Sequence, residues 1–279
     1  MGSYYTHSGR APKKGLALGI VGGGLVASLL AAIYAYFDAI MPFIYLNMMA
    51  ALIVGGAAGI VTGKLLVRGC VRNKLTAAIA GAVVGFIALY VAWAAWPEAL
   101  LDNRAGAKMG FLHLLSNPPA LWSTITMINR QGAWRFGSTT PTGLILWIAW
   151  VSEAVIIIVP ALLLARGFVA SEPFCERCER WCTEEPRVLE QHGADATELK
   201  RRLESKDFAY LAELGPRRPN DIEWFRFDLH WCRGCGDTAT LTAKRVDLTA
   251  EGGRDKTEII VENLLVTQPE VEMLRSLSG

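Results

Sequence analysis

Three stretches of the chain carry no charged side chain: Gly15 to Phe37, Ala39 to Gly63 and Leu75 to Pro97. A fourth, Gly143 to Ala165, holds a single acid, Glu153. Each runs 23 to 25 residues, and about 20 apolar residues cross a hydrocarbon core. The runs are continuously apolar rather than alternating, which indicates helices and not barrel strands. The pattern therefore predicts a membrane α-helical bundle of four transmembrane helices, over about 15–37, 41–63, 75–97 and 143–165. The first run is longer than the roughly 7–15 residue core of a signal peptide. A very short turn, Asp38 to Pro42, joins it to the second, as in a helical hairpin.

Lysine and arginine set the expected orientation. Lys13 and Lys14 precede the first span, Lys64, Arg68, Arg72 and Lys74 fill the link between the second and third, and Arg166 closes the fourth. These belong on the cytosolic side, so residues 1–14 form a cytosolic tail and the C-terminus lies inside as well. The opposite side has Asp38 in its first turn and Arg104, Lys108, Arg130 and Arg135 spread through a loop over 98–142. Tyr34, Tyr36, Phe37, Tyr45, Trp93 and Trp96 then form an outer aromatic belt. Within the outer loop, Leu121, Trp122, Ile125 and Ile128 follow Pro118-Pro119 at near-helical spacing and predict a short amphipathic helix in the interface. It leads through Gly132, Trp134 and Phe136 back to the fourth span. The plainer role for the loop is a cover packed on the bundle. His113 has no ligand partners near it in sequence.

Small residues recur every fourth position in the spans: Gly15, Gly19 and Gly23; Gly55, Gly59 and Gly63; Gly81 and Gly85. This spacing puts glycine on one helix face and lets backbones approach. Packing within one bundle is the simpler reading, and a seam between copies is the alternative. Glu153 is the ionisable group well inside a span, where a carboxyl must face protein or water. One reading is a proton or cation site of a small transporter. The other is a carboxyl hydrogen-bonded to Asn47, a tyrosine hydroxyl or a backbone carbonyl.

The pattern changes after Arg166. Glu223 to Trp231 alternates, with Trp224, Arg226, Asp228 and His230 on one face and Phe225, Phe227, Leu229 and Trp231 on the other, as a strand does. Cys232-Arg233-Gly234-Cys235-Gly236 follows, and Thr238 to Val246 reads as the return strand. Cys175 and Cys178 make a second Cys-x-x-Cys pair. Two residues between cysteines let both thiolates point at one ion, and two such knuckles complete a tetrahedral Cys₄ site. Cys182 as a replacement for Cys178, and His230 as an intruding ligand, are the alternatives. Cys70 reads as a free thiol.

Strand, knuckle, strand resembles the rubredoxin-type zinc ribbon, over residues around 172–182 and 223–247. The resemblance implies a small cytosolic α+β domain, 166–279, holding structural Zn²⁺. Iron in the same ligands would make an electron carrier, and one pair used as a dithiol would make a redox centre. Disulfides are disfavoured on a reducing side. The first knuckle, Cys175-Glu176-Arg177-Cys178, lacks the glycine common in such turns. Residues 183–221 read as a helical insertion, with helix formers over Thr197 to Leu203 and over Ser205 to Leu214, where Gly215-Pro216 stops the second. After the ribbon, Glu251-Gly252-Gly253 marks a turn, Thr257 to Val261 a third strand, and Thr267 with Glu270 a capping box before a last helix bearing Val271, Leu274 and Leu277.

Charge sharpens the division. The whole chain has 28 basic and 26 acidic residues, but 22 of the acids fall after position 165. That half is net negative, and phosphate binding needs a positive face, so no nucleic acid is expected as partner. No phosphate loop, His-Glu-x-x-His or nucleophile elbow is present. The sequence thus predicts a non-catalytic protein, held in the lipid bilayer, that presents a zinc-stapled domain to a protein partner or a second copy of itself. Its alanine, glycine and arginine usage suggests a bacterial inner membrane. A transporter using Glu153 and a membrane redox protein are the competing functions.

Overall fold

The fold was analysed in a computed structural model that describes residues 3–41, 43–102, 110–133, 140–170, 172–193, 195–248 and 256–277. Pro42, Arg104, Lys108, Trp134, Arg135, Phe136 and the Glu251-Gly252-Gly253 turn lie outside the described residues. The chain divides into two compact units, Gly9–Ser171, and Met1–Ser8 with Glu172–Gly279.

The first unit is helical. Its opening helix runs from α1 (Lys13–Ala17) through a π-turn (Leu18–Gly22) into α2 (Gly23–Ile40). Then come α3 (Ile44–Arg68), α4 (Lys74–Asp102), the short α5 (Phe111–Ser116), α6 (Pro118–Gln131) and α7 (Leu144–Ala170). Four helices, Lys13–Ile40, Ile44–Arg68, Lys74–Leu100 and Leu144–Val169, are long and apolar enough to cross a membrane. They outrun the charge-free stretches because charged residues at the ends continue the helix and because Pro97 and Pro160 do not break it.

The core of this unit is built from small side chains. Ala27, Ala31, Ala51, Ala58, Ala88 and Ala161 are fully or almost fully buried together. Glycine brings the backbones close. A Cβ on Gly59 would lie 2.7 Å from the carbonyl oxygen of Ala161, and Gly55, Gly81 and Gly85 likewise face the α7 backbone. Gly63 meets the Phe168 ring, Gly15 meets Gly69, Gly19 meets Leu66 and Gly23 meets Thr62. Every one of these glycine faces is filled by a neighbour in the same chain. The large apolar residues point the other way: Leu25, Leu29, Ile33, Ile53, Ile79, Phe86 and Ile148 are all exposed. This is the inverse of a water-soluble helix bundle.

The amphipathic helix of the loop is α6. Asn117 caps it, its side-chain oxygen accepting from the Ala120 N–H at 3.2 Å. Leu121, Ile125 and Ile128 pack on Ala94, Leu146 and Trp150. Trp122, expected on the same face, is exposed and leans on Trp147. It is one residue, about 100° of helix, from Leu121.

The second unit is a four-stranded antiparallel sheet with helices on one face. Its strands are β3 (Thr183–His192), β4 (Glu223–Trp231), β5 (Ala239–Asp247) and β6 (Lys256–Leu265), in that order across the sheet. A two-stranded piece, β1 (Phe174–Cys175) with β2 (Arg180–Trp181), precedes it. Helices α8 (Ala196–Glu204), α9 (Ala209–Leu214) and α10 (Gln268–Ser276) cover one sheet face. Leu199, Leu203, Phe208, Leu211, Val271 and Leu274 pack there on Phe225, Phe227, Leu229, Leu241 and Val261. Thr267 and Glu270 form the capping box that starts α10.

Two expectations need correction. The insertion 183–221 is not helical throughout, because its first ten residues are the edge strand β3. Pro186 is compatible with that place, since proline within sheets is confined to edges and bulges, and the β3–β4 register shifts between Glu185 and Leu189. The first residues are not a mere tail. Ser3 and Tyr5 exchange backbone hydrogen bonds with Leu265 and Asn263, and Tyr4 bridges Leu264, so the N-terminal segment extends the β6 edge.

Candidate metal centre

The β4–β5 hairpin aims the second knuckle. Its turn is closed by the Gly236 N–H on the Cys232 carbonyl and the Cys232 N–H on the Thr238 carbonyl, each at 2.9 Å. The β1–β2 pair aims the first, with Cys175 opposite Arg180 and the Cys182 N–H bonded to the Pro173 carbonyl. The Tyr5 hydroxyl clasps this piece, accepting from the Phe174 N–H at 3.0 Å and facing the Phe174 carbonyl at 3.2 Å.

The sulfur atoms of Cys175, Cys178, Cys232 and Cys235 all lie within 4.8 Å of one another. Cys175 and Cys235 are separated by 3.5 Å, far beyond a disulfide bond, and no disulfide joins the cluster. Around zinc with bonds of about 2.3 Å, tetrahedral sulfur atoms stand about 3.8 Å apart. The four-cysteine cluster therefore fits a zinc-ribbon-like site able to hold a metal ion. Gly234 is needed here, because a Cβ on it would sit 2.9 Å from the Cys178 sulfur.

The two knuckles solve the same backbone problem with different residues. After Cys235 the chain turns at Gly236, φ 70°. After Cys178 it turns at Glu179, φ 49°, a left-handed conformation without glycine. Arg177 of one knuckle donates to Asp237 beside the other, across two exposed side chains.

Electrostatics explain why the cluster suits a cation. Burial opposes ionisation of Cys175, but hydrogen bonds involving Thr238 and the neighbouring cysteines bring its thiol down to about 7. Its neighbour Cys178 is pushed the other way, to about 12, by its hydrogen bond with Cys235 and then by burial. One thiolate is accommodated and a second is resisted. Four thiolates so close need a divalent ion between them, and binding it releases protons.

Cys182 is buried beside the cluster but outside the four-sulfur group. Its thiol faces the Thr238 carbonyl at 3.8 Å, and burial raises it to about 12. His230 is likewise outside the group. It is buried on the sheet, its Nδ1 accepts no hydrogen bond, and burial holds its imidazole below the ordinary value.

In the helical unit, Glu153 meets one of the partners expected for it. The Tyr34 hydroxyl donates to Glu153 Oε1 at 2.8 Å. Asn47 lines the same cavity but donates to the Met41 carbonyl instead, at 3.3 Å. Tyr34, Trp93 and Trp96, expected in an aromatic belt, line that cavity as well, whereas Tyr36 and Tyr45 are exposed. Asp38, expected in the turn between the first two spans, lies instead on helix α2 and lines the cavity. Helix α2 continues to Ile40, which places Asp38 four residues on from Tyr34 and on its face. The signal lay in that spacing.

No family model matches the chain, and comparison with curated proteins and with solved structures found no match.

Proposed function

We propose that this is an integral membrane protein whose four long helices anchor a zinc-stapled ribbon module, and that the module serves protein assembly rather than catalysis. The observation that carries the reading is the four-sulfur cluster, held by two knuckles whose spacing and backbone suit a tetrahedral ion. A closed set of four thiolates leaves no coordination position for water, which favours a structural over a catalytic zinc. Such an ion contributes on the order of 10 kcal/mol to folding. A module this small, with short β1 and β2 strands and an irregular edge, depends on that contribution.

Membrane insertion is supported by the exposed leucine, isoleucine and phenylalanine side chains on the long helices. The lysine and arginine bias favours a cytosolic placement for both ends, in a bacterial inner membrane. Pairing of residues 3–5 with β6 agrees with two ends on one side.

The test is purification of the full chain in mild detergent, followed by elemental analysis and identification of co-purifying proteins. Colourless zinc-bearing protein that retains a specific partner or a second copy supports the reading. Iron with a visible absorption band supports a redox protein instead and contradicts it.

A further inference from the structure

Within the helical unit, α2, α3, α4, α6 and α7 line a partly open cavity of about 350 Å³. Small-molecule sites begin at about 300 Å³. Its charged groups have one sign. Asp38 and Glu153 line it, and none of the described lining side chains is basic. Neither carboxylate has an ion-pair partner among the described residues. Keeping such groups ionised when buried costs free energy, which an accompanying cation offsets.

Two further observations point to the same kind of guest. Asn47 contributes a buried carbonyl oxygen, Oδ1, that accepts no hydrogen bond. Three indoles form much of the wall, Trp96 also bringing a buried Nε1–H without a partner: Trp150 stands 5.6 Å from Trp93 and 6.2 Å from Trp96, centroid to centroid, with the second pair edge to face. Indole faces attract cations, and aromatic cages favour alkylammonium groups. A bare metal ion would instead need a shell of about six to eight oxygens, which indoles cannot supply.

We propose that this cavity binds a small organic ammonium ion, its charge set between Asp38 and Glu153 and its alkyl groups against Trp93, Trp96 and Trp150. A phospholipid headgroup would bring a phosphate toward two carboxylates, so the guest is a free amine. The site is separate from the cysteine centre, and either reading can fail without the other.

The experiment titrates choline and propylammonium into the full-length protein in a maltoside micelle, by calorimetry. Sodium at matched ionic strength and 3,3-dimethylbutan-1-ol, the neutral isostere of choline, serve as comparisons. Saturable binding of an ammonium ion is expected, with the isostere weaker by about tenfold or more. The isosteric Asp38→Asn/Glu153→Gln variant is expected to weaken it by about tenfold or more at a melting temperature no lower than that of the wild type without amine. If the double variant does not fold, Asp38→Asn alone must weaken binding in the same direction. No saturable binding of either amine, equal binding of the isostere, or unchanged affinity in the variants overturns the proposal. Competition by sodium at equal concentration would make it an inorganic cation site. Phosphatidylethanolamine retained stoichiometrically by the wild type and lost by the variant would make it a headgroup site. Either result also overturns it.

Discussion

Glu179 and Gly236 occupy equivalent places, each just after the second cysteine of a knuckle, and both have positive φ. A non-glycine residue pays roughly 1–2 kcal/mol for that conformation. Gly236→Ala is expected to destabilise the ribbon unit by about 1 kcal/mol or more, because its Cβ would also displace the Gln268 side chain. Glu179→Gly is expected to stabilise it by about 0.5 kcal/mol, the relief of strain exceeding the added chain entropy. Thermal melting of the purified variants measures both.

Asp228 lies near the middle of β4 in the same sheet. It is almost fully buried and accepts from Lys244 Nζ at 2.6 Å and from the Arg187 N–H at 2.9 Å. Arg187 is at the bulge of β3 and has φ 55°. Burial alone would raise this carboxyl, but the Lys244 and Arg187 hydrogen bonds outweigh it and hold it below 3.8. A lowered acid contributes stability that is complete above its unfolded value and lost as pH falls through the native one. Asp228→Asn is expected to cost about 1–3 kcal/mol. The gap from wild type should be constant from pH 8 to about 5, and begin to close only as the pH approaches 3.8 from above. Denaturation at several pH values checks this, and a gap that widens on acidification contradicts it.

At the scale of elements, the glycine spacing translates directly into helix contacts. Gly55, Gly59, Gly81 and Gly85 all face α7. Gly59→Leu places a side chain against the Ala161 backbone, and overpacking of this kind costs about 1–3 kcal/mol. Its melting temperature in detergent should fall, while Gly167→Ala, with nothing within 4 Å of its added Cβ, should be near neutral. Equal effects would contradict a packed α3–α7 seam.

The long helices and the β4 and β5 strands were legible because their apolar patterns run unbroken. The cysteine pairs were legible because ligand spacing is local. Strand β3 was not, since an edge strand buries little: of its ten residues, Val188, Leu189 and Gln191 alone are buried. Its charged, proline-bearing sequence reads as solvated chain. The pairing of residues 3–5 with β6 was hidden for a different reason, because it joins positions about 260 apart and nothing local encodes it. The helical place of Asp38 is not legible because a charge that ends an apolar run looks in sequence like the end of the helix, whereas α2 continues to Ile40.

At the scale of the whole molecule, two kinds of stabilisation divide the chain. The helical unit gains little by burying apolar side chains in its interior, where alanine and glycine dominate. Its large apolar residues face outward, so its internal stability depends on close backbone packing between helices. The ribbon unit has a conventional core of phenylalanine and leucine, yet that core lies between the sheet and its helices, and the knuckles stand apart from it as a separate sulfur cluster. On the proposed function, an ion orders that end. The claim is tested most directly by mass-spectrometric metal analysis of the purified full-length protein beside Cys182→Ala and Cys235→Ser. The account predicts one zinc ion per chain in the wild type and in Cys182→Ala, and its loss in Cys235→Ser. Iron, no metal at all, or zinc retained in Cys235→Ser but lost in Cys182→Ala would contradict it.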